Sequence, residues 1–166
     1  MRSIFAATLC LGLATQATAA QVHFCWQGAN GYTMTGVMEY PDDAANLSMV
    51  TEADVTRFEI TGYERGVEIG NWTPARSDVF HLRYDPQTMQ FPTGGAYPGP
   101  QSQGWNASGE VNDCGDKGFG FNSGDYAQDL CLYGVWVEHS SVNPNSQLLA
   151  STTPFLPDCR LRELSS

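Results

Sequence analysis

The sequence predicts an all-β protein, either an antiparallel sandwich or a jelly roll, stabilised by two disulfides. Apolar and polar residues alternate with a period of two in several stretches, and Gly, Pro, Asn or Asp residues bound these stretches. Helical periodicity never continues for more than a few residues. Many short strands separated by turn residues are typical of sandwiches and jelly rolls rather than of one open sheet.

The clearest strand pattern covers residues 51–90, which we interpret as three consecutive strands joined by turns. Apolar residues alternate with polar ones in residues 55–63, 67–69 and 80–84. This pattern predicts a meander whose apolar side forms one half of the core. Residues 130–137 are the most apolar window outside the N-terminal segment, so we expect them to form a central strand covered on both faces.

The earlier elements follow from the same pattern. Residues 22–27 and 32–40 both alternate, and Asn30-Gly31 between them predicts a hairpin turn. Gly36 inside the second strand predicts a bulge or a close approach. Residues 51–54 fit a capping pattern, which suggests a single helical turn before the meander.

The later elements are shorter and richer in glycine and proline. Residues 85–88 have a proline where a type I turn prefers it, and residues 89–91 are expected to return as a short strand. Residues 92–104 lack periodicity, and we interpret them as a flexible surface excursion. A second Gly-rich stretch covers residues 115–124, and residues 147–151 are predicted to form one more strand.

Residues 1–20 have the features of a secretory signal peptide. A basic start precedes a short apolar run at residues 4–13, and small residues follow it. Cleavage is predicted after Ala19 or Ala20. We therefore expect residues 21–166 to form one secreted or periplasmic domain without a membrane anchor.

The predicted mature part has an even number of cysteines, which suggests two disulfides in an exported protein. The four cysteines are Cys25, Cys114, Cys131 and Cys159. Three connectivities are possible. We favour Cys25–Cys159, which would join the two ends, and Cys114–Cys131, which would close a local loop. No pair has the C-x-x-C spacing of a redox or zinc motif.

The charge balance argues against two classes of partner. The chain has 18 acidic and 8 basic residues, and Lys117 is its only lysine. Such a chain repels nucleic acid and anionic lipid, because binding to either depends on neutralising phosphates with lysine and arginine. We therefore expect an acidic, monomeric protein that binds neither nucleic acid nor membranes.

No catalytic residue and no cofactor are predicted. The chain lacks a G-x-S-x-G motif. The histidines fall in or beside predicted strands, where we expect them to point outward: His23, His81 and His139. Acidic residues on the polar sides of strands are interpreted as solvated surface: Glu39, Glu59 and Glu68.

Aromatic residues supply the candidate ligand contacts. Trp26 and Trp136 lie in apolar strands and are expected to be buried. Trp72 and Trp105 lie in turn or loop contexts. Because sugars stack on exposed aromatic faces, Tyr97 and Trp105 beside the Gly/Pro-rich loop are the predicted ligand contacts.

Residues 112–125 raise the question of calcium. They place the oxygen ligands that calcium prefers, including Asp113, Asp116 and Asp125, in a Gly-rich loop. The spacing of an EF-hand is absent. A loop tethered by a disulfide explains the same composition, so no metal ligand is assigned.

Three segments carry a family resemblance: GYTMTG at residues 31–36, TEADVTRFEI at residues 51–60 and FHLRYD at residues 80–85. They are similar to secreted, uncharacterised bacterial all-β domain proteins, many of which end in a PEP-type C-terminal sorting segment. The likeness covers about residues 31–91. This chain differs by lacking that segment and by its four cysteines. The resemblance implies an exported all-β domain and supplies no catalytic residue.

Together these observations favour a non-catalytic binding or structural module. The alternative is an extracellular carbohydrate-active hydrolase or a glycan-binding domain. A binding module requires exposed aromatic residues beside a concave surface, whereas a hydrolase requires titratable groups that line a cavity.

Overall fold

In the computed structural model, the described residues are 19–75, 79–108, 112–115 and 117–163. They form twelve strands and two short 3₁₀ turns. The strands are β1 Ala19–Gln27, β2 Tyr32–Pro41, β3 Val50–Thr51, β4 Arg57–Glu64, β5 Val67–Trp72, β6 Phe80–His81, β7 Arg83–Tyr84, β8 Gln103–Trp105, β9 Phe119–Ser123, β10 Gln128–Leu132, β11 Val135–Val142 and β12 Leu149–Ser151. The 3₁₀ turns are Ala29–Gly31 and Asp42–Asn46.

Two five-stranded sheets make up the body of the protein. The first has the order β12-β1-β2-β4-β5, and the second has the order β11-β10-β9-β8-β6. All pairs are antiparallel, and β3 pairs with β7 in a separate two-stranded ribbon. The all-β, antiparallel fold class predicted from the sequence is confirmed.

The core lies between the two sheets and is built largely from aromatic rings. Phe24 and Phe58 of the first sheet pack on Trp105 of the second, with ring centroids 5.2 Å and 5.0 Å away respectively. Trp26 meets Phe121 across the same interface at 5.3 Å. These rings belong to one continuous cluster of buried residues, so a single core stabilises both sheets.

The first hairpin forms as the sequence predicts. β1 and β2 pair without a register shift, and Asn30 and Gly31 between them have φ of 56° and 86°. Gly36 lies opposite Phe24, and a Cβ on it would lie 2.1 Å from Cζ of that ring. Of the two alternatives for Gly36, the structure shows the close approach.

The three-strand meander is only partly correct. β4 and β5 form a hairpin, but the third segment leaves that sheet: β6 pairs with β8 in the second sheet, and β7 pairs with β3. Leu82 separates β6 from β7 because its N–H donates to the carboxylate of Glu52 at 3.0 Å instead of to a strand. The period-two pattern identified a segment facing the core but could not show to which sheet it belongs.

The predicted central strand at residues 130–137 is two strands. A turn at Tyr133 and Gly134, with φ of 53° and 73°, separates β10 from β11. β10 is buried on both faces, as expected for a central strand. β11 is an edge strand, and its Trp136 is 40% exposed, so the expectation that this residue is buried is wrong.

The predictions for the short segments at residues 51–54, 85–88 and 89–91 have different outcomes. The turn at residues 85–88 is present, and the Asp85 carboxylate accepts hydrogen bonds from the Gln87 and Thr88 backbone. Residues 89–91 contribute an isolated bridge rather than a strand. In the 51–54 turn, the Asp54 carboxylate accepts from the Thr51 N–H.

Both favoured disulfides are confirmed: Cys25–Cys159 and Cys114–Cys131. Two disulfides indicate an oxidising compartment. The predicted signal peptide falls almost entirely outside the described residues, and Ala19 and Ala20 begin β1. In the described part of the chain, no helix has the length and apolar character needed to span a bilayer.

Candidate functional site

The outer face of the second sheet carries a row of polar and small residues. Phe121 of β9 and Leu130 of β10 point into the core, so the residues adjacent to them in the chain, Asn122 and Asp129, lie on the opposite face. Asn122 pairs with Asp129 on one side and with Gly104 of β8 on the other. Cross-strand partners share a face of a sheet, so these residues lie side by side.

A groove of about 800 Å³ opens above this row. It is lined by Ala96, Tyr97, Asn122, Gly124, Asp125, Tyr126, Ala127, Asp129, Trp136, Glu138 and Ser141. This volume lies within the range of about 300–1,000 Å³ typical of ligand sites in proteins.

Two buried polar side chains contribute to the floor. Asn122 is 6% exposed and Asp129 is 4% exposed. The Asp129 carboxylate accepts a hydrogen bond from the Ser141 hydroxyl. Oδ1 of Asn122 is buried without a hydrogen-bond partner among the described residues. Leaving such an acceptor unpaired costs about 1–3 kcal/mol, so a ligand that donates to it would recover that free energy.

Tyr97 forms one wall because its loop packs onto the sheet. A Cβ on Gly104 would lie 2.4 Å from Cε2 of Tyr97, so only glycine lets the ring lie this close to β8. The His81 ring meets the Tyr97 ring edge-on at 5.4 Å, and its Nε2 lies 2.9 Å from the Gly99 carbonyl oxygen.

The rest of the loop is also held in place. The Gly95 N–H donates to the Gln101 carbonyl at 2.8 Å, and the Gly99 N–H donates to the Ser102 hydroxyl at 2.9 Å. The expected surface excursion is therefore a segment that is bonded internally and lies against the sheet.

The other aromatic walls are exposed. Tyr126 lies in the turn between β9 and β10, and its side chain is 91% exposed. A hydrogen bond from the Gly124 N–H to the Ala127 carbonyl closes this turn. Trp136 approaches from β11. Three aromatic side chains from three separate segments thus border one groove.

The electrostatic character of the groove is acidic. Its lining includes the carboxylates of Asp125, Asp129 and Glu138, and none of the described lining residues is a lysine or an arginine. Burial raises the pKa of the Tyr97 phenol, and the negative charges of Asp113 and Glu52 raise it further. The phenol therefore stays protonated at neutral pH and can donate a hydrogen bond.

The structure places the two predicted ligand contacts differently. Tyr97 lines the groove, as a ligand contact should. Trp105 is 0% exposed in the core, so the expectation that it lies exposed beside Tyr97 is wrong. Trp72, also assigned to a turn, is 8% exposed. Both belong to strands, and their rings pack against Phe58.

The histidines do not converge on the groove. His81 lies on the outer face, as expected, but the loop covers it and leaves it 8% exposed. His139 is exposed on β11, and His23 is half-buried on the first sheet.

Sequence reasoning missed most of the lining, above all Asn122, Tyr126 and Asp129. The available signal was two adjacent polar residues in each of two short segments rich in apolar residues: Asn122 and Ser123 within residues 119–123, and Gln128 and Asp129 within residues 128–132. Polar residues buried in strands covered on both faces often have a specific partner or ligand.

The calcium hypothesis for residues 112–125 stays a prediction. Asp116 lies outside the described residues. Among those that are described, no three His, Cys, Asp or Glu side chains are grouped closely enough to hold a metal ion. The Asp113 carboxylate accepts from the Ser108 N–H at 2.9 Å and so closes its own loop.

Comparison of the chain with protein-family models, curated proteins and solved structures found no match.

Proposed function

We propose that this protein is an exported module that binds carbohydrate in the groove on the outer face of the second sheet. One observation carries the proposal: Tyr97, Tyr126 and Trp136 border a groove whose floor includes the buried polar side chains of Asn122 and Asp129. A pyranose ring has the complementary chemistry, because it presents an apolar C–H surface and a rim of hydroxyl groups.

The aromatic walls supply the apolar part of this recognition. Tyr126 and Trp136 expose their rings to solvent, and covering such surface is favourable by about 25 cal/mol per Å². Tyrosine and tryptophan also lose little side-chain freedom on binding, since each has only two side-chain torsions.

The floor supplies the polar part. Oδ1 of Asn122 has no partner in the described part of the chain, and the Asp129 carboxylate accepts hydrogen bonds only. Sugar hydroxyls donate to both types of acceptor. A bound sugar therefore supplies hydrogen-bond donors that these two acceptors lack in the unliganded protein.

The proposed setting is secreted or periplasmic. The signal-peptide features of residues 1–20 support export, and the two disulfides support an oxidising destination. We propose that the protein acts as a monomer.

A glycan array followed by calorimetric titration tests the proposal. Trp136→Ala and Tyr126→Ala are each expected to weaken binding of an array hit by about tenfold or more, which corresponds to about 1.4 kcal/mol. Tyr133→Ala is the matched control, because Tyr133 is 57% exposed and lies outside the groove lining. An array without hits, or equal losses in all three variants, would refute the groove as a glycan site.

A carbohydrate-active hydrolase is the second candidate, and the groove carboxylates favour it. Glycoside hydrolysis uses two carboxyl groups: one protonates the leaving oxygen, while the other assists attack at the anomeric carbon, and water is added across the bond. Asp129 and Glu138 are the candidate pair. Release of new reducing ends from a bound oligosaccharide, lost in Asp129→Asn and in Glu138→Gln, would support hydrolysis; unchanged oligosaccharide would exclude it for that ligand.

A further inference from the structure

We infer that the groove selects sugars that carry a protonated amine, such as glucosamine units with free amino groups, over neutral or N-acetylated sugars. This inference rests on the proposed glycan-binding function.

The first observation is the charge of the groove. Asp125, Asp129 and Glu138 each contribute a carboxylate, and in the described part of the chain no lysine or arginine lines the groove. A concave surface lined by one sign of charge concentrates ligands of the opposite sign. An anionic sugar is disfavoured for the same reason.

The second observation is the burial of Asp129. This carboxylate is 4% exposed, and its hydrogen bond from Ser141 comes from a neutral group. The ion pairs in the described part of the chain involve other carboxylates: Glu39, Glu59, Glu52 and Asp158. A buried carboxylate without a cation is unfavourable, and a ligand ammonium group beside it would supply the missing charge.

The third observation is the match of donors and acceptors. An ammonium group has three donors and no acceptor. Oδ1 of Asn122 is a buried acceptor without a partner among the described residues, and Asp129 lies directly opposite it on the neighbouring strand. N-acetylation removes the charge and leaves a single N–H, so an acetylated sugar satisfies these acceptors less well.

The aromatic walls also favour a ligand that carries a positive charge. Cations are attracted to the faces of tryptophan and tyrosine rings, and Trp136, Tyr126 and Tyr97 border the groove. A glucosamine unit can therefore use one wall for its apolar face while its amine meets the acidic floor.

Calorimetric titration of the full mature protein with three matched oligosaccharides tests the inference: a glucosamine oligomer, its N-acetylated form and a cello-oligosaccharide of equal length. At a slightly acidic pH, where the amines are protonated, the glucosamine oligomer is expected to bind about tenfold more tightly than the other two. High salt should reduce this difference, because it screens the attraction between opposite charges.

Two variants locate the effect. Asp129→Asn and Glu138→Gln are each expected to reduce the preference for the free amine, whereas Glu68→Gln on β5 of the first sheet should leave it unchanged. The comparison of oligosaccharides on the unmodified protein stands even if Asp129→Asn fails to fold.

The outcomes separate the inference from the function on which it rests. Equal or tighter binding of the cello-oligosaccharide would overturn the amine preference and leave glycan binding standing. Failure of all three oligosaccharides and of the array would overturn both. A lysine-rich peptide that binds as tightly as the glucosamine oligomer would overturn the assignment to a sugar.

Discussion

Trp26 and Gln128 join the two sheets through a hydrogen bond between fully buried side chains: Nε1 of the indole donates to Oε1 of the amide at 2.7 Å. Nε2 of Gln128 donates in turn to the carbonyl oxygens of Pro144 and Ser146. One amide therefore connects the first sheet, the second sheet and the segment that leads to β12.

Gln128→Met should destabilise the protein strongly. The methionine side chain has a similar length, but it leaves the Trp26 N–H and two carbonyl groups without their partner. Because each unpaired buried group costs about 1–3 kcal/mol, we expect the three together to lower the free energy of unfolding by about 3 kcal/mol or more, measured by urea denaturation. Gln27→Met, at the exposed end of β1, should change stability by less than about 0.5 kcal/mol. Equal stability of the two variants would contradict this role for Gln128.

The strands of the first sheet could be predicted from the sequence because their two faces meet different environments. In β2, Met34 and Met38 are buried while the intervening residues are partly exposed, so the period of two is visible. The same holds for Phe58 and Ile60 in β4. β8 is only three residues long, too short to show any period, so the sequence places its Trp105 in a loop context.

The candidate site was less predictable because its residues converge through pairing between distant segments. Tyr97 and Trp136 belong to different segments, and nothing in their spacing shows that they border the same groove. β9 and β10 are buried on both faces, so Asn122 and Asp129 lack the alternation that marks a solvent-facing side. Patterns of apolar residues predict which residues form the core. A groove on the outer face of a sheet depends instead on which distant segments the tertiary structure brings together.

Glu52 makes stability depend on pH. Its carboxylate accepts from the Leu82 N–H at 3.0 Å and from Nη1 of Arg83 at 2.7 Å. Burial acts to raise the pKa of Glu52, but these hydrogen bonds and the Arg83 charge outweigh burial and hold the pKa below its ordinary value. Since the folded pKa lies below the unfolded one, the stabilisation is complete above the unfolded pKa of about 4.3 and is lost as the pH falls through the folded pKa.

Glu52→Gln should therefore lower the free energy of unfolding at neutral pH by about 1 kcal/mol, and the difference from wild type should shrink at acidic pH. Urea denaturation at several pH values measures this difference. Glu163→Gln, which alters an exposed residue near the C-terminus, is the control and should change the free energy of unfolding at neutral pH by less than about 0.5 kcal/mol. A Glu52→Gln effect that grows as the pH falls would contradict the assigned direction of the pKa shift.

The two disulfides should contribute unequally. Cys25 and Cys159 are separated by 134 residues, whereas Cys114 and Cys131 are separated by 17. In the chain-entropy model the longer loop is worth about 5 kcal/mol and the shorter about 3 kcal/mol. Replacing each pair by two alanines removes similar buried sulfur atoms, so the difference in urea denaturation reports mainly the loop length. A larger loss from the Cys114–Cys131 pair would show that native packing at that bridge outweighs loop entropy.

Gly36 and Phe24 provide a test of packing in the first sheet. A Cβ on Gly36 would lie 2.1 Å from Cζ of Phe24, and that ring cannot withdraw easily because Phe91 and Trp105 lie 5.0 Å and 5.2 Å from it. Gly36→Ala should therefore cost about 1–3 kcal/mol of stability through overpacking. Gly124→Ala is the control, because the nearest atom to its Cβ would be 3.9 Å away. Adding Phe24→Leu should make Gly36→Ala less destabilising, since the smaller side chain removes the clash; equal costs of Gly36→Ala in both backgrounds would show that the ring is not its cause.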